Sequence, residues 1–438
     1  MIPLREHVQR LRGSTLVRNS VWMFMGQGLS VVVQGAYFFV LARLLGSLEY
    51  GVLVGSIALV LMFSQYSNFG SGLIFLRYVS LDRKSFPVYW GNILLTTLTF
   101  GCILVAGVHL GAPWLMGAGN RGILTTLAIG EFLGAQLVVA ISQIFQAFEQ
   151  MRITATLSLL TNLLRLMVAV ILFLKFHRIS AWQWAYASMG VAVCAAIVSV
   201  ITVLTKFGKP AFDPRLAMRR AGEGFIFAIS GTTTSAYNDL DKAMLGHYGM
   251  NAANGIYSMA YRVVDISFMP MRSIYSAAFP RFFQLGAEGL VATSKLALRL
   301  IRKTALLGIL AAVGMFVCAP LIPFLAGHGF DKSVLALRWL CLIPLFRSFH
   351  MCAGDALAGV GLQPYRLGAQ SVAALGNFGL NLYLIPHYSW RGAAAASLMT
   401  DGGLAVLCWL LLFVLRAREQ RRGVPSPGPA AEVNLGSS

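Results

Sequence analysis

Apolar runs of roughly 20 residues recur from one end of this chain to the other, and that is the length a helix needs to cross a hydrocarbon core. About twelve can be read: 20–41, 52–75, 88–110, 123–146, 154–174, 181–204, 223–247, 256–280, 304–326, 334–360, 367–387 and 392–415. Inside lipid, a helix pairs all its backbone groups within one segment, which an isolated strand does not do. The expected fold class is therefore an all-α polytopic membrane protein with about 12 transmembrane helices. Composition agrees, with 57% hydrophobic and 12% charged residues, where a soluble domain carries about 25% charged. The first run, from Ser20 to Leu41, is too long for a signal-peptide core and lacks a small-residue cleavage site, so it is expected to remain as the first helix.

A net charge of +19 invites a nucleic-acid reading, but the placement of the charges argues for topology instead. With the N-terminus in the cytoplasm and twelve crossings, about 23 of the 35 Lys and Arg fall on the cytoplasmic side and about six outside, the asymmetry of the positive-inside rule. No nucleic-acid partner is expected. The basic loops are instead suited to anionic lipid heads. The implied organisation is a basic cytoplasmic N-terminus (1–19), a six-helix lobe (20–204), a basic cytoplasmic linker (205–222), a second six-helix lobe (223–415) and a disordered cytoplasmic tail (416–438) rich in Gly, Pro and Ser. Both termini are then cytoplasmic.

Enzyme signatures are missing. There is no GxxxxGK[ST], HExxH or GxSxG, and GAGNRG at 117–122 lies between apolar helices with no strand before it. The six cysteines fall singly in apolar runs without a CxxC, so neither a disulfide framework nor a metal site is expected. No cofactor and no catalytic residue is assigned. With no nucleotide motor in the chain, transport driven by an ion gradient is the leading class.

The two halves read as copies. Leu45-Gly46 with Tyr50-Gly51 follows the first helix, and Leu245-Gly246 with Gly255-Ile256-Tyr257 follows the seventh. Both halves begin inside, so the lobes are expected to be pseudo-symmetric about an axis along the membrane normal, with a substrate site near mid-depth between them. The same segments carry a resemblance: LARLLGSLEYGVL (41–53), IFQAFEQMRITATLSLLTNLLRL (144–166), DLDKAMLGHYGMNAANGIYSMAYRVVD (239–265), SAAFPRF (276–282) and NLYLIPHYSWRGAAAASLMTD (381–401). In this order they resemble the polysaccharide (O-antigen) flippases of the multidrug/oligosaccharidyl-lipid/polysaccharide exporter superfamily. The resemblance implies two lobes, alternating access and a polyprenyl-pyrophosphate-linked oligosaccharide moved across the bacterial inner membrane for surface polysaccharide. It also implies that a polysaccharide polymerase is a candidate partner. A drug–cation antiporter of the same superfamily is the first alternative, and a membrane glycan polymerase or ligase the second.

Charge within the membrane is costly and marks function by default. A pyrophosphate needs buried bases, and Arg165, with Asn162 one turn away, is the leading candidate, since a guanidinium binds phosphate oxygens in a fork. Pairing of Arg165 to Glu131 is the competing structural reading. Arg272, Arg262 and Arg347 are further cavity candidates, with Arg262 and Asp265 spaced for a local i,i+3 pair. Asp239 and Lys242 are also spaced to pair, roughly 8–12 Å of rise from the outer helix end, leaving Asp241 for lobe coupling or ion binding. Glu131, Asp265 and Asp401 are the remaining deep acids able to couple a proton or sodium ion. Polar stripes at Gln27/Gln34 and Gln370/Asn377/Asn381 fit either sugar-facing walls or interhelical bonding.

Overall fold

The computed structural model describes residues 15–422, with side chains from Gly28 to Arg421 except Ser230, Thr233, Thr234 and Ala236. Among the described residues the chain is helical throughout, without strands. The helices are α1 (Thr15–Ser64), α2 (Ser71–Val79), α3 (Phe86–Met116), α4 (Arg121–Ala128), α5 (Gln136–Ala147), α6 (Met151–Phe176), α7 (Ala181–Phe207) and α8 (Pro214–Arg219). They continue with α9 (Ala221–His247), α10 (Asn251–Gly286), α11 (Leu290–Cys318), α12 (Leu321–Ala326), α13 (Ser333–Leu340), α14 (Ile343–Gly359), α15 (Gln363–Tyr388) and α16 (Trp390–Arg422). A π-helical stretch, Ile129–Ala135, joins α4 to α5.

Among the described residues, eight helical segments are long and apolar enough to cross a membrane. One of them belongs to α1, which kinks at Gly46 (φ 72°, ψ 170°) and carries the first apolar run and the start of the second, expected over 52–75, which breaks after Ser64 and resumes in α2. The remaining three runs are α9, α10 and α15, of 27, 36 and 26 residues, whose Asp, Lys, Arg and Asn content lowers their hydropathy. The chain is a multi-pass all-α membrane protein, and its more polar helices are the ones to search for function.

Helices overrun the expected boundaries at the basic segments. The stretch 281–303 is mostly helix, shared between α10 and α11. The tail expected from 416 continues α16 to Arg422, because Glu419 accepts the otherwise unpaired Leu290 N–H at the start of α11 at 3.0 Å. Residues 423–438 and 1–14 lie outside the described part. The linker 205–222 contains α8, capped by Asp213, whose carboxylate accepts from the N–H groups of Arg215 and Leu216.

Packing divides the chain into a unit ending at Gly255 and another starting at Ile256. Helix α9, placed by the sequence repeat at the start of the second lobe, therefore packs with the first unit, against α1. Bare backbone explains the fit: a Cβ on Gly51 would lie 1.7 Å from the Asn251 carbonyl oxygen, and one on Gly255 2.0 Å from that of Ser47. Asn254 completes the join, donating to the carbonyls of Gly51 (3.1 Å) and Lys242 (2.9 Å). Elsewhere in this unit α2, α3 and α5 share a core of Phe75, Trp90, Ile141 and Phe145. The chain unwinds between α1 and α2, where Asn68 donates to Gln136 (3.2 Å) and accepts from Gly70 N–H (3.0 Å).

The second unit is tied by buried hydroxyls. Tyr275 on α10 shares a hydrogen bond with Thr304 on α11 (2.7 Å) and donates to the Ser348 carbonyl on α14 (2.9 Å). Tyr257 meets Ser397 on α16 at 3.0 Å, and Trp409 donates to the Phe349 carbonyl at 3.1 Å. Asn377 donates to Thr400 (3.0 Å) and accepts from Asn381 (2.8 Å), so this part of the polar stripe joins α15 to α16. The Gln27 side chain lies outside the described part.

Candidate functional site

Two polar sites stand out, one in each unit. In the first unit, a cavity of about 410 Å³ opens between α5, α6 and α7. Its α6 wall is a polar stripe, Thr154, Ser158, Thr161, Asn162 and Arg165, at the 3–4-residue spacing that places side chains on one helix face. Gln143 and Gln146 line it from the α5 side. Among the described residues, no carboxylate comes within the 4.0 Å ion-pair distance of Arg165. Glu131, in the π-helical stretch, is close enough for the Arg165 charge to act on its carboxyl without forming an ion pair. π-Bulges within helices recur at functional sites. The expected Arg165–Glu131 relation is thus a longer-range one, and the guanidinium is left to the cavity. A cavity with one cation, three amides and several hydroxyls can hold a phosphate and hydrogen-bond a polyol.

In the second unit α10, α14 and α16 bring charges together. The Arg347 guanidinium lies 3.0 Å from Asp265 and 3.6 Å from Asp401, donates to the Tyr261 hydroxyl at 2.7 Å, and sits 5.3 Å from the centre of the Tyr261 ring. His350, one turn along α14, places Nε2 3.6 Å from the other Asp401 oxygen. Asp401 is buried and Arg347 largely so, with side chains 2% and 12% exposed, whereas Asp265 is 37% exposed. Asp265 therefore turns to Arg347 and not to Arg262, which corrects the local pair expected on α10. The Arg347 guanidinium, reaching from α14, meets Asp265 and Asp401 at once. With a neutral imidazole the four groups sum to one negative charge, which a single proton on His350 or on an acid cancels.

The α9 charges form a third, smaller set within the first unit. Lys242 Nζ lies 2.6 Å from Asp239 and also donates to the Asn238 carbonyl. Asp241 is buried and accepts from the Lys242 N–H at 2.7 Å. The structure brings Asp239 and Lys242 together as their spacing implies, and Asp241 meets Lys242 through its backbone N–H. Arg262 is half-buried and Arg272 exposed. Thr154, Ser158 and Thr161 extend the stripe beyond Asn162 and Arg165, and their 3–4-residue spacing in IFQAFEQMRITATLSLLTNLLRL is the sequence signal for them. Tyr261 had no signal of its own, since an aromatic residue in an apolar helix reads as packing.

Comparison with known proteins places this geometry. The sequence profile described as polysaccharide biosynthesis protein matches residues 16–286. No match is found among curated proteins by sequence. Among solved structures, an inward-facing multidrug resistance MATE family transporter of the MOP superfamily superposes with a TM-score of 0.71 at 14% identity, covering 92% of this chain and 100% of that one. An outward-facing MATE family transporter gives 0.56 at 16% identity, covering 94% and 98%. A MOP superfamily transporter from Pyrococcus furiosus, described as having a binding pocket of reversed polarity, gives the same values. Matched over more than half its length, the chain belongs to the polysaccharide biosynthesis protein family and has the fold of MOP superfamily transporters.

Proposed function

We propose that this protein is a flippase for a polyprenyl-pyrophosphate-linked oligosaccharide, moving it across the bacterial inner membrane by alternating access. The observation that carries the reading is the Arg165 cavity, where a cation without a carboxylate in ion-pair range faces hydroxyls and amides. A lipid pyrophosphate is too costly to drag bare through hydrocarbon. Arg165 and Asn162 would hold its phosphate oxygens, Gln143, Gln146 and the α6 hydroxyls the sugar, and the prenyl tail would stay in lipid. Arg272 and Arg262 are candidate further contacts. The Asp265–Arg347–Asp401 cluster is the candidate coupling site for a proton or sodium ion, with Glu131 and Asp241 as second choices and Asp239–Lys242 as a gate contact. The product would feed surface polysaccharide assembly, where a polymerase is the expected neighbour; the protein itself transports and does not catalyse.

The test is a leaflet assay. Purified protein in liposomes receives the saccharide lipid in one leaflet, and a membrane-impermeant glycan-cleaving enzyme reports its arrival in the other. Protein-dependent crossing that falls at least tenfold in Arg165→Ala and partly returns in Arg165→Lys supports the reading. A drug–cation antiporter is the second reading, favoured by the structural likeness to MATE transporters. Drug efflux under an ion gradient, with no saccharide-lipid crossing, would establish it.

A further inference from the structure

The turn between α15 and α16 is a single residue, Ser389, with φ 56° and ψ −136°. A non-glycine residue enters that region only when its surroundings hold it there. Two hydrogen bonds do so: Ser389 N–H donates to the Ile385 carbonyl at 2.8 Å, and the Ser389 carbonyl accepts from Ala393 N–H at 3.2 Å. Bare backbone at Gly392 lets α16 start against the end of α15, since a Cβ there would lie 2.2 Å from the Leu384 carbonyl oxygen. So sharp a turn brings His387, Tyr388, Trp390 and Arg391 to the wall of one cavity of about 490 Å³, lined on the α13 side by Lys332 and Leu335. None of these residues is assigned above to transport or coupling.

The charge of this cavity runs against its position. In the twelve-crossing arrangement both the Ser389 turn and the segment before α13 lie outside, where Lys and Arg are disfavoured. Two of the roughly six external cations nonetheless share the cavity. Both are exposed, and among the described residues no carboxylate comes within 4.0 Å of either, Asp331 beside Lys332 included. The Arg391 guanidinium sits 5.6 Å from the Trp390 ring centre, and Trp390, 8% exposed, meets Trp339 edge-on at 6.5 Å. Two like charges without a counter-charge favour an anion. The remaining lining is suited to a polyol. His387 donates its Nδ1–H to the Tyr383 carbonyl at 2.7 Å, because a carbonyl only accepts, so the neutral ring keeps Nε2 as an acceptor. Ser389 adds a hydroxyl, and Tyr388, 59% exposed, adds an uncovered ring.

We propose that this cavity binds an acidic saccharide, a sugar chain that carries a carboxylate. The carboxylate accepts from Lys332 and Arg391, a ring hydroxyl donates to His387 Nε2, and the C–H face of a sugar ring packs on Tyr388. A volume of about 490 Å³ lies within the ~300–1,000 Å³ of pockets for drug-sized ligands and exceeds what a bare phosphate fills. A phospholipid fits less well, because Leu335 is the only aliphatic side chain among the lining residues and offers acyl chains little wall. The proposal rests on the flippase reading and narrows it: the oligosaccharide includes an acidic sugar, which the second unit holds on the outer face as the lipid leaves.

The experiment is titration calorimetry of the purified full-length protein in neutral detergent. Trigalacturonate, maltotriose and inorganic pyrophosphate are separate probes, and phosphatidylglycerol is a competitor. The expected result is trigalacturonate binding at least tenfold more tightly than maltotriose or pyrophosphate and not displaced by the phospholipid. Lys332→Gln and Arg391→Gln should each lower its affinity about tenfold, the loss of one charged hydrogen bond, and Tyr388→Ala a few-fold. Lys175→Gln, at an exposed external cation outside the cavity, should leave it unchanged. The three cavity side chains are exposed, so these variants should fold, which thermal unfolding checks. No binding of trigalacturonate, equal affinity for the acidic and neutral sugars, pyrophosphate binding as tightly, displacement by phosphatidylglycerol, or unchanged affinity in Lys332→Gln and Arg391→Gln would each overturn the proposal. The leaflet assay keeps the two readings apart. Saccharide lipids that cross without any binding of trigalacturonate remove this proposal alone, whereas binding without any crossing removes the flippase reading and keeps the pocket.

Discussion

Arg347 and Arg165 show how two arginines in similar helices come to opposite uses. Arg347 is buried with two carboxylates and a tyrosine hydroxyl around it. Removing it leaves Asp401 buried beside a partly buried acid, the situation in which breaking a buried ion pair costs about 3–5 kcal/mol. Arg347→Ala should therefore unfold at distinctly lower temperature in detergent, while Arg347→Met combined with Asp265→Asn and Asp401→Asn recovers most of the loss. A single variant as stable as the parent would mean that the cluster contributes nothing to folding. Arg165 has no such acid in range among the described residues, so Arg165→Ala should change stability by no more than about 1 kcal/mol while transport falls. The sequence made both arginines visible, because any charge in an apolar run is conspicuous. It did not reveal that Asp265 belongs to Arg347, since that choice is made by the packing of α10 against α14, and the i,i+3 neighbour Arg262 is the partner a single helix suggests.

At the scale of elements, hydropathy located the membrane-spanning runs because length against a hydrocarbon core is a coarse and robust signal. What it missed are the places where helices continue past the apolar run, as at Glu419, and where polar helices such as α9 choose neighbours. The choice made by α9 rests on backbone contact, which hydropathy does not register. A Cβ at Gly51 would run into the Asn251 carbonyl, and one at Gly246 would lie 3.1 Å from the Cα of Gly55. Gly51→Ala and Gly255→Ala should each cost about 1–3 kcal/mol through overpacking, read as a loss of thermal stability of the purified protein. Gly107→Ala, on the same kind of apolar helix but with nothing within 4 Å, is the control and should be neutral or slightly stabilising, since alanine is the better helix former. Equal effects at all three positions would remove the close-contact account of why α9 packs with the first unit. The repeat itself is only partly conformational: Gly46 makes the kink in α1, whereas in the second copy the positive φ falls at Gly249 and not at Gly246.

For the whole molecule, the +19 charge is an instruction about orientation. Translocating a basic loop against the membrane potential is unfavourable, so segments dense in Lys and Arg stay on the cytoplasmic side. Leu81, beside Arg83 and Lys84, and Met218, between Arg215 and Arg219, belong to such segments and are 84% and 78% exposed. Trp114, near the end of α3, is 80% exposed and should lie on the other side. Single cysteines at these three positions, in a chain whose six native cysteines have been replaced, convert the argument into labelling. A membrane-impermeant maleimide should reach Trp114→Cys from outside in spheroplasts, and Leu81→Cys and Met218→Cys only in inside-out vesicles. Labelling of Leu81→Cys or Met218→Cys from outside would invert the protein.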